Sequence, residues 1–424
     1  MRKTKIVFLG AGSLCFGINM MKDIFSNSEL TGSTLALVDI DQKALDRMFG
    51  IAVEMNRVSG LNLAIEKHLD RRDALPGAEF VINAVAIDKG RLWKQDFLIP
   101  KKYGIRHVFG ENGGPGALFF TLRTVPLIMD ISRDVERFCP EALFMNLSNP
   151  ESRVILALSR YTSVKAVGLC HGIFIGHNHV ARIIGLPYED IEVRGAGINH
   201  FQWLLDVRDA KTGMDLYPLL REKDKSYDQS FEPFSRRLFR YFGKYPSCGD
   251  NHVAEYLPYG WEAGEEGPDF NGEEVYRRKL LEDINDRLLG KKGWAEWLTA
   301  SGERAVDVIT AVIHNRKRVI ESGIVYNNGV ITNLPSHAAV EVPIEADCTG
   351  VHPVFVGDLP EPLVRILVPQ IGVQQMAVEA AVHADKTMAL QALLIDPVVN
   401  SMDSAVKLLD ELWEINREYI RPCI

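Results

Sequence analysis

Short apolar runs alternate with stretches of helical periodicity through the first half of the chain, the pattern of a doubly wound parallel α/β sheet. Residues 5–9 (KIVFL), 34–38 (TLALV), 80–85 (FVINAV), 143–147 (LFMNL) and 164–169 (VKAVGL) are the predicted strands. Each has about the length of a buried parallel strand. After about residue 190 the pattern changes. Residues 192–207 alternate in part, as a strand region does, and long amphipathic helices follow. Val306, Ile309, Ile313 and Ile320 recur at helical spacing, as do apolar positions through 374–394 and 405–415. The expected architecture is a first α/β domain over 1–190 and a second, mixed α/β domain over 191–424, with no internal repeat and no low-complexity linker.

Composition narrows the partners. The 424 residues are 46% hydrophobic and 25% charged, an ordinary globular mixture and enough chain for two domains. Forty-eight Lys and Arg against 56 Asp and Glu leave a formal charge of -8. Neither sign forms a long block, which argues against a nucleic-acid groove or a polybasic membrane patch and favours a small molecule such as a sugar. Six cysteines without a C-x-x-C pair point to reduced thiols in a cytosolic protein. The apolar run before Gly10 is too short for a signal peptide and no transmembrane-length stretch occurs, so a cytoplasmic location is expected.

Gly10-Ala11-Gly12-Ser13 directly follows the first predicted strand and opens a helical segment running to about Phe25. Glycines at that place let backbone N–H groups of a helix N-terminus approach a pyrophosphate. Cys15 stands where the third glycine of the dinucleotide fingerprint belongs, and Gly17 lies two positions further on. Asp39 ends the second strand, where an acid binds both ribose hydroxyls of an adenosine and repels a 2′-phosphate. Gly10, Gly12, Ser13 and Asp39 are therefore the expected contacts of NAD, rather than NADP, in a Rossmann-like first domain.

More chemistry gathers at the carboxyl ends of the later strands, where doubly wound folds bind ligands. Asn146-Leu-Ser-Asn149-Pro150 ends one strand and equally suits a plain turn. Cys170-His171-Gly172 ends the next, and Asn199-His200 follows in the second half. Cys170 and His200 could chelate a divalent metal, with sugar hydroxyls in the open positions, although a buried thiol and a core histidine serve packing as well. His177 and His179 read as scaffold or surface. Gly249-Asp250-Asn251-His252, leading into Glu255-Tyr256, is a turn rich in titratable groups in which Asp250 is a candidate general base. Glu111, in the glycine-rich loop 110–116, is a candidate for orienting cofactor or substrate. A solvated loop carboxylate is the plain alternative for Asp250, and an ordinary flexible loop is the plain alternative for Glu111.

Together these segments resemble glycoside hydrolase family 4, the NAD- and metal-dependent glycosidases that dispense with a carboxylate pair. The resemblance spans nearly the whole chain. It rests on Gly10 to Ser13, the loop around 114–116, Asn146 to Pro150, Cys170-His-Gly, Ile198-Asn-His200, Gly249-Asp250, Asn328 to Pro335 and Val340-Glu-Val-Pro343. It implies that Cys170 and His200 hold Mn2+ or a similar ion, with Asn149 touching substrate beside it. Thiolate being a soft donor, the metal stays open among Mn, Fe, Co and Ni. The implied reaction oxidises sugar C3 with NAD+, and Asp250 removes the acidified C2 proton. The metal stabilises the enediolate while the C1 substituent leaves, and water addition and re-reduction then restore NAD+.

Family members acting on 6-phosphorylated sugars resemble one another in carrying Asn or Asp after the metal-binding cysteine and Tyr at the position of Asp250. His171 and Asp250 instead resemble the non-phosphorylated branch, and Cys-His-Gly is similar to members acting on α-linked uronic acids, notably α-galacturonidases. His171 becomes the candidate general acid. A uronate carboxylate calls for Arg or Lys, and Arg91, Lys94 and Arg153 lie near motifs at the sheet edge, with none assigned. α-Glucuronidase and α-galactosidase are neighbouring readings. A metal-free NAD-dependent 2-hydroxy-acid dehydrogenase would show net NADH, and a non-catalytic NAD sensor would turn over no glycoside. The resemblance also implies a homodimer or homotetramer.

Overall fold

The structure, a computed structural model, describes residues 2–14 and 16–424, so Cys15 lies outside the described residues. Twelve strands run in chain order: β1 (Lys5–Leu9), β2 (Thr34–Val38), β3 (Ala64–His68), β4 (Phe80–Asn83), β5 (Leu143–Asn146), β6 (Lys165–Gly168), β7 (Ile191–Ile198), β8 (Phe201–Asp209), β9 (Tyr245–Ser247), β10 (Arg318–Tyr326), β11 (Ala339–Asp347) and β12 (Gly350–Pro353). They form one sheet, ordered β3-β2-β1-β4-β5-β6-β10-β11-β7-β8-β9, with β12 paired to β11. The first six are parallel.

The central strands are apolar throughout because both their faces are covered. Phe8, Leu37, Ile82 and Met145 point into the core on one side of the sheet. Their neighbours Val7, Ala36, Val81 and Phe144 point into the core on the other. All eight are fully buried, and each such burial is worth about 1.5–3 kcal/mol for the larger side chains. Register sets the functional edge. Leu9 stands opposite both Val38 and Asn83, Asn83 opposite Asn146, and Asn146 opposite Gly168. The carboxyl ends of five strands are thus level, and the turns at Gly10, Asp39, Leu147 and Cys170 leave the sheet side by side.

The second half continues the same sheet in antiparallel fashion. β10 meets β6 at Ile324 and Gly168, and β11 meets β7 at Glu341 and Gly197. β7 and β8 form a hairpin whose turn is Asn199-His200. Three expectations are corrected in detail. Ile320 shares helical spacing with Ile313 but lies in β10, because the helix Ala305–His314 ends at Asn315, whose φ of 51° turns the chain out of it. The pattern over 374–394 divides into the helices Glu361–His383 and Lys386–Ile395 around Ala384 (φ 52°), with Asp385 accepting from the first amides of the second helix. β3 was not expected; its sequence AIEKH is mostly solvent-facing at the sheet's edge and lacks an apolar run. No described helix is long and apolar enough to cross a membrane.

Candidate active site

The turn after β1 is shaped by the absence of side chains. Gly10 has φ +75°, and a Cβ there would lie 2.7 Å from the Ala84 carbonyl oxygen. Its N–H and that of Ala11 donate to the Val38 carbonyl, which presses the turn against β2. A Cβ on Gly12 would meet Asp39 Oδ2 and Ala44 Cβ, each at 2.7 Å. The Gly12 N–H donates to Asp39 Oδ2 at 2.8 Å and Asp41 N–H to Oδ1 at 2.9 Å. Asp39 is therefore fixed beside the turn, as a ribose-binding acid must be. Ser13 N–H closes the turn on Gly10 O. At Gly17 a Cβ would come within 2.6 Å of the Ala11 carbonyl oxygen, so this displaced glycine provides the close packing of helix Phe16–Ser26 on the turn. Only a backbone this bare admits a dinucleotide pyrophosphate, and the residues present fit one.

Beyond β5 a buried amide network holds the loop bearing Asn149. Asn83 Nδ2 donates to Asn146 Oδ1 (2.9 Å) and Ser148 Oγ (3.0 Å), and Asn146 Nδ2 donates to Ser148 O. Asn149 follows, half-buried, joined to Pro150 by a cis peptide bond. Beyond β6, Cys170 is half-buried and accepts from Gly172 N–H at 3.4 Å. Burial, then Glu341 and Glu151, pushes its thiol well up. His171 precedes the helix Gly172–Ile184, and its Nε2 lies 3.1 Å from Oε2 of buried Glu303. That contact raises the imidazole's pKa against the opposing effect of burial.

His200 occupies the β7–β8 turn with φ +61°. Its ring is buried and packs edge-on to His252, centroids 4.4 Å apart. Burial, followed by His252, holds its pKa well down, which keeps the imidazole neutral as a metal ligand requires. Beneath it, Glu341 accepts from Asn199 Nδ2 (3.0 Å), Gln202 Nε2 (2.7 Å) and Ser322 Oγ (2.5 Å). Ligating atoms of His200, Cys248 and His252 all lie within 4.8 Å of one another, and Cys170 is within electrostatic reach of Cys248. The donor set fits a divalent ion: two imidazoles and a thiol, with His200 Nδ1 buried and lacking a hydrogen-bond partner among the described residues.

Asp250 stands at the start of a short helix, Asp250–Ala254. Its carboxylate accepts from Phe234 N–H (2.9 Å) and Ser235 N–H (2.7 Å) at the N-terminus of helix Pro233–Phe242. Its own N–H donates to Glu232 Oε2 at 2.6 Å. Burial and the nearby Asp250 push Glu232 up to about 7. Glu111 is no flexible-loop residue. It is buried and paired with Lys89 Nζ at 2.5 Å; burial would raise its pKa, but Lys89 and His252 hold it down to about 2. Glu255 Oε2 accepts the N–H groups of Glu111, Asn112 and Gly113, fixing that loop.

The structure brings His171 within electrostatic reach of His200 and Cys170 within that of Cys248, whereas the Asp250 carboxylate is turned to the amides that open helix Pro233–Phe242. Among the arginines near the edge, Arg91 pairs with Asp88 on the surface. Arg153 is buried, donating to Thr121 Oγ1 and Asn112 O in the scaffold. Sequence reasoning missed Cys248, Glu303 and Glu232, and passed over His252 as part of a turn. Cys248 and His252 flank Asp250 at i−2 and i+2, a C-x-x-x-H signal that was available. Glu303 has no local signal: it reaches His171 from a loop distant in sequence, where Asn19 Nδ2 also donates to it.

Comparison with known proteins accords with this geometry. Residues 5–186 match the family 4 glycosyl hydrolase model and residues 195–399 the model of its C-terminal domain. An α-galactosidase of Bacillus subtilis is 34% identical, covering 98% of this chain and 99% of its own. An α-galacturonidase of Thermoanaerobacter italicus is 29% identical over 98% of this chain and 97% of its own. A 6-phospho-α-glucosidase from gut microorganisms, solved in complex with NAD and Mn2+, is 21% identical and superposes over 99% of this chain and 100% of its own with a TM-score of 0.87. A Rossmann-like parallel sheet, its antiparallel extension and both family models spanning them place the chain in family 4 of the glycosyl hydrolases.

Proposed function

We propose that the chain hydrolyses α-linked galacturonides in an NAD- and metal-dependent reaction. When bound, NAD supplies a reversible hydride acceptor at sugar C3 and the divalent ion supplies Lewis acidity beside C2 and C3. The chain's own residues supply the rest. Gly10, Gly12 and Ser13 seat the pyrophosphate, and Asp39 takes the ribose hydroxyls. Asn149 contacts the sugar from the loop beside Cys170. Asp250, anchored by two backbone amides, retains oxygen lone pairs for the C2 proton. His171 is the acid for the leaving oxygen: Glu303 holds Nε2, so the proton delivered is the one on Nδ1.

The observation that carries the uronide reading is Cys170-His171-Gly172 at the end of β6, with His171 paired to Glu303 rather than replaced by the Asn or Asp of the phosphosugar branch. A second reading, α-galactoside hydrolysis, is favoured by the 34% identity to the B. subtilis α-galactosidase and by the commitment of Arg153 to the scaffold. The experiment compares α-linked digalacturonate with p-nitrophenyl α-galactoside on thiol-reduced protein with NAD+ and Mn2+, omitting each component in turn. Digalacturonate cleavage that needs both and accumulates no NADH is expected. Turnover of the galactoside alone selects the second reading, and net NADH makes the protein a dehydrogenase. A cytoplasmic protein that works as a homodimer or homotetramer completes the proposal.

A further inference from the structure

Residues 301–303 form neither helix nor strand, yet from this segment Glu303 reaches His171 as a buried carboxylate. Both its oxygens are engaged: Oε2 faces His171 Nε2 at 3.1 Å, and Oε1 accepts from Asn19 Nδ2 at 3.5 Å. The group that holds so irregular a segment in place is Asp23. One oxygen of its carboxylate accepts the Ser301 N–H, and the other accepts the Ser301 hydroxyl at 2.7 Å and the Glu303 N–H at 3.1 Å. We propose that Asp23 is a positioning residue for the general acid: by clamping loop 301–303 it sets Glu303 against Nε2 of His171, which leaves Nδ1 for the departing oxygen. This rests on the reading of His171 as the acid given above.

Asp23 and Asn19 stand one turn apart on helix Phe16–Ser26, which opens from the dinucleotide turn. The segment expected to seat the cofactor therefore also carries the support of the acid. On its other side the loop is anchored by Arg304. That guanidinium donates to Glu321 at 2.7 and 3.1 Å and to Asp307 at 3.0 Å, and it lies 4.6 Å from the ring centroid of Phe174 on the helix that follows His171. Glu303 thus sits between two fixed points. Packing alone does not account for Asp23, because an apolar contact would hold a loop without burying a charge. Asp23 and Glu303 are 4% and 5% exposed. Burial pushes the Asp23 carboxyl up, the Ser301 hydroxyl and amide draw it back, and Glu303 pushes it up again. Such crowding of buried acids recurs at functional sites.

The test uses the thiol-reduced full chain with NAD+ and Mn2+ and two substrates of one sugar: the α-linked disaccharide that wild type cleaves, digalacturonate first, and the corresponding p-nitrophenyl α-glycoside, whose leaving group needs little protonation. Asp23→Asn turns an amide N–H toward one of the donors that the carboxylate accepted. Its kcat on the disaccharide should fall about tenfold and on the p-nitrophenyl glycoside less than about twofold, with KM for both unchanged. Combined with Glu303→Gln it should cost little more than Glu303→Gln alone, since both act through one ring. Equal losses on the two substrates, or losses that multiply in the double variant, overturn the proposal and leave Asp23 a folding residue. His171→Ala separates this failure from that of the acid reading. Asymmetric loss in His171→Ala without it in Asp23→Asn removes the proposal alone, and symmetric loss in His171→Ala removes both. If Asp23→Asn does not fold, Ser301→Ala, which gives up only the hydroxyl bond, decides: the same asymmetry supports the clamp, and its absence overturns it.

Discussion

Nε2 of His171 lies 3.1 Å from Oε2 of Glu303, a carboxylate delivered from a loop more than 130 residues further along the chain. Glu303 is buried while the histidine side chain is partly exposed, so Nε2 is held at one end of a ring that still reaches solvent. As the proposed acid, His171 matters most where the leaving group needs a proton. Glu303→Gln should lower kcat on a sugar leaving group by roughly 10- to 100-fold, while a p-nitrophenyl glycoside, whose leaving group needs little protonation, loses much less. Equal losses on both substrates would assign Glu303 to folding alone.

Asp39 and Gly12 act as a pair, since the N–H of one donates to the carboxylate of the other at 2.8 Å. Asp39→Asn keeps an acceptor for that bond but removes the charge that repels a 2′-phosphate. Binding titrations should show the preference for NAD+ over NADP+ falling by roughly tenfold. Gly12→Ala should weaken both nucleotides, because its Cβ would fall 2.7 Å from Asp39 Oδ2. Unchanged selectivity in Asp39→Asn would move the ribose contact elsewhere.

How much of this was legible in the sequence follows from burial and from distance along the chain. β1, β2, β4 and β5 are covered on both faces and so announce themselves as apolar runs, and their register fixes where the motifs emerge. β10 did not, because Ile320 continues a helical spacing that only Asn315 interrupts, and β3 shows solvent most of its residues. Gly10, Gly12 and Asp39 were readable because a dinucleotide turn is local. Glu303 against His171, and Glu341 beneath Asn199, were not, since each joins segments that meet only through the sheet. Cys248 and His252 sat in view on either side of Asp250 and were obscured by the acid between them.

Glu232 provides a pH signature. Its carboxyl is pushed up from 4.5 to about 7 by burial and then by Asp250. Between those values the folded chain binds a proton that the unfolded chain has released, so this group favours folding at low pH and the advantage is lost as pH rises through about 7. Glu232→Gln removes that titration. Measured by denaturant unfolding, the stability of the variant relative to wild type should rise by about 1–3 kcal/mol between pH 4.5 and pH 7. Parallel profiles for the two proteins would show that Glu232 titrates normally.

Glu341 links the stability of the antiparallel half to the position of His200. Its two oxygens take donors from Asn199, Gln202 and Ser322 in a fully buried site. Glu341→Leu would strand those donors, costing about 2–4 kcal/mol of unfolding free energy. Glu341→Gln keeps one acceptor oxygen and should cost less. Asn199 precedes His200 in the β7–β8 turn, so the freed amide also loosens the imidazole's placement. Metal affinity in Glu341→Leu should therefore fall by about tenfold even at temperatures where the variant is fully folded. A variant that melts earlier but binds metal as tightly as wild type would confine Glu341 to scaffolding, and the turn would then owe its conformation to the other bonds that hold it, from Asn199 N–H to Ser152 Oγ and from Tyr256 Oη to Asn199 O.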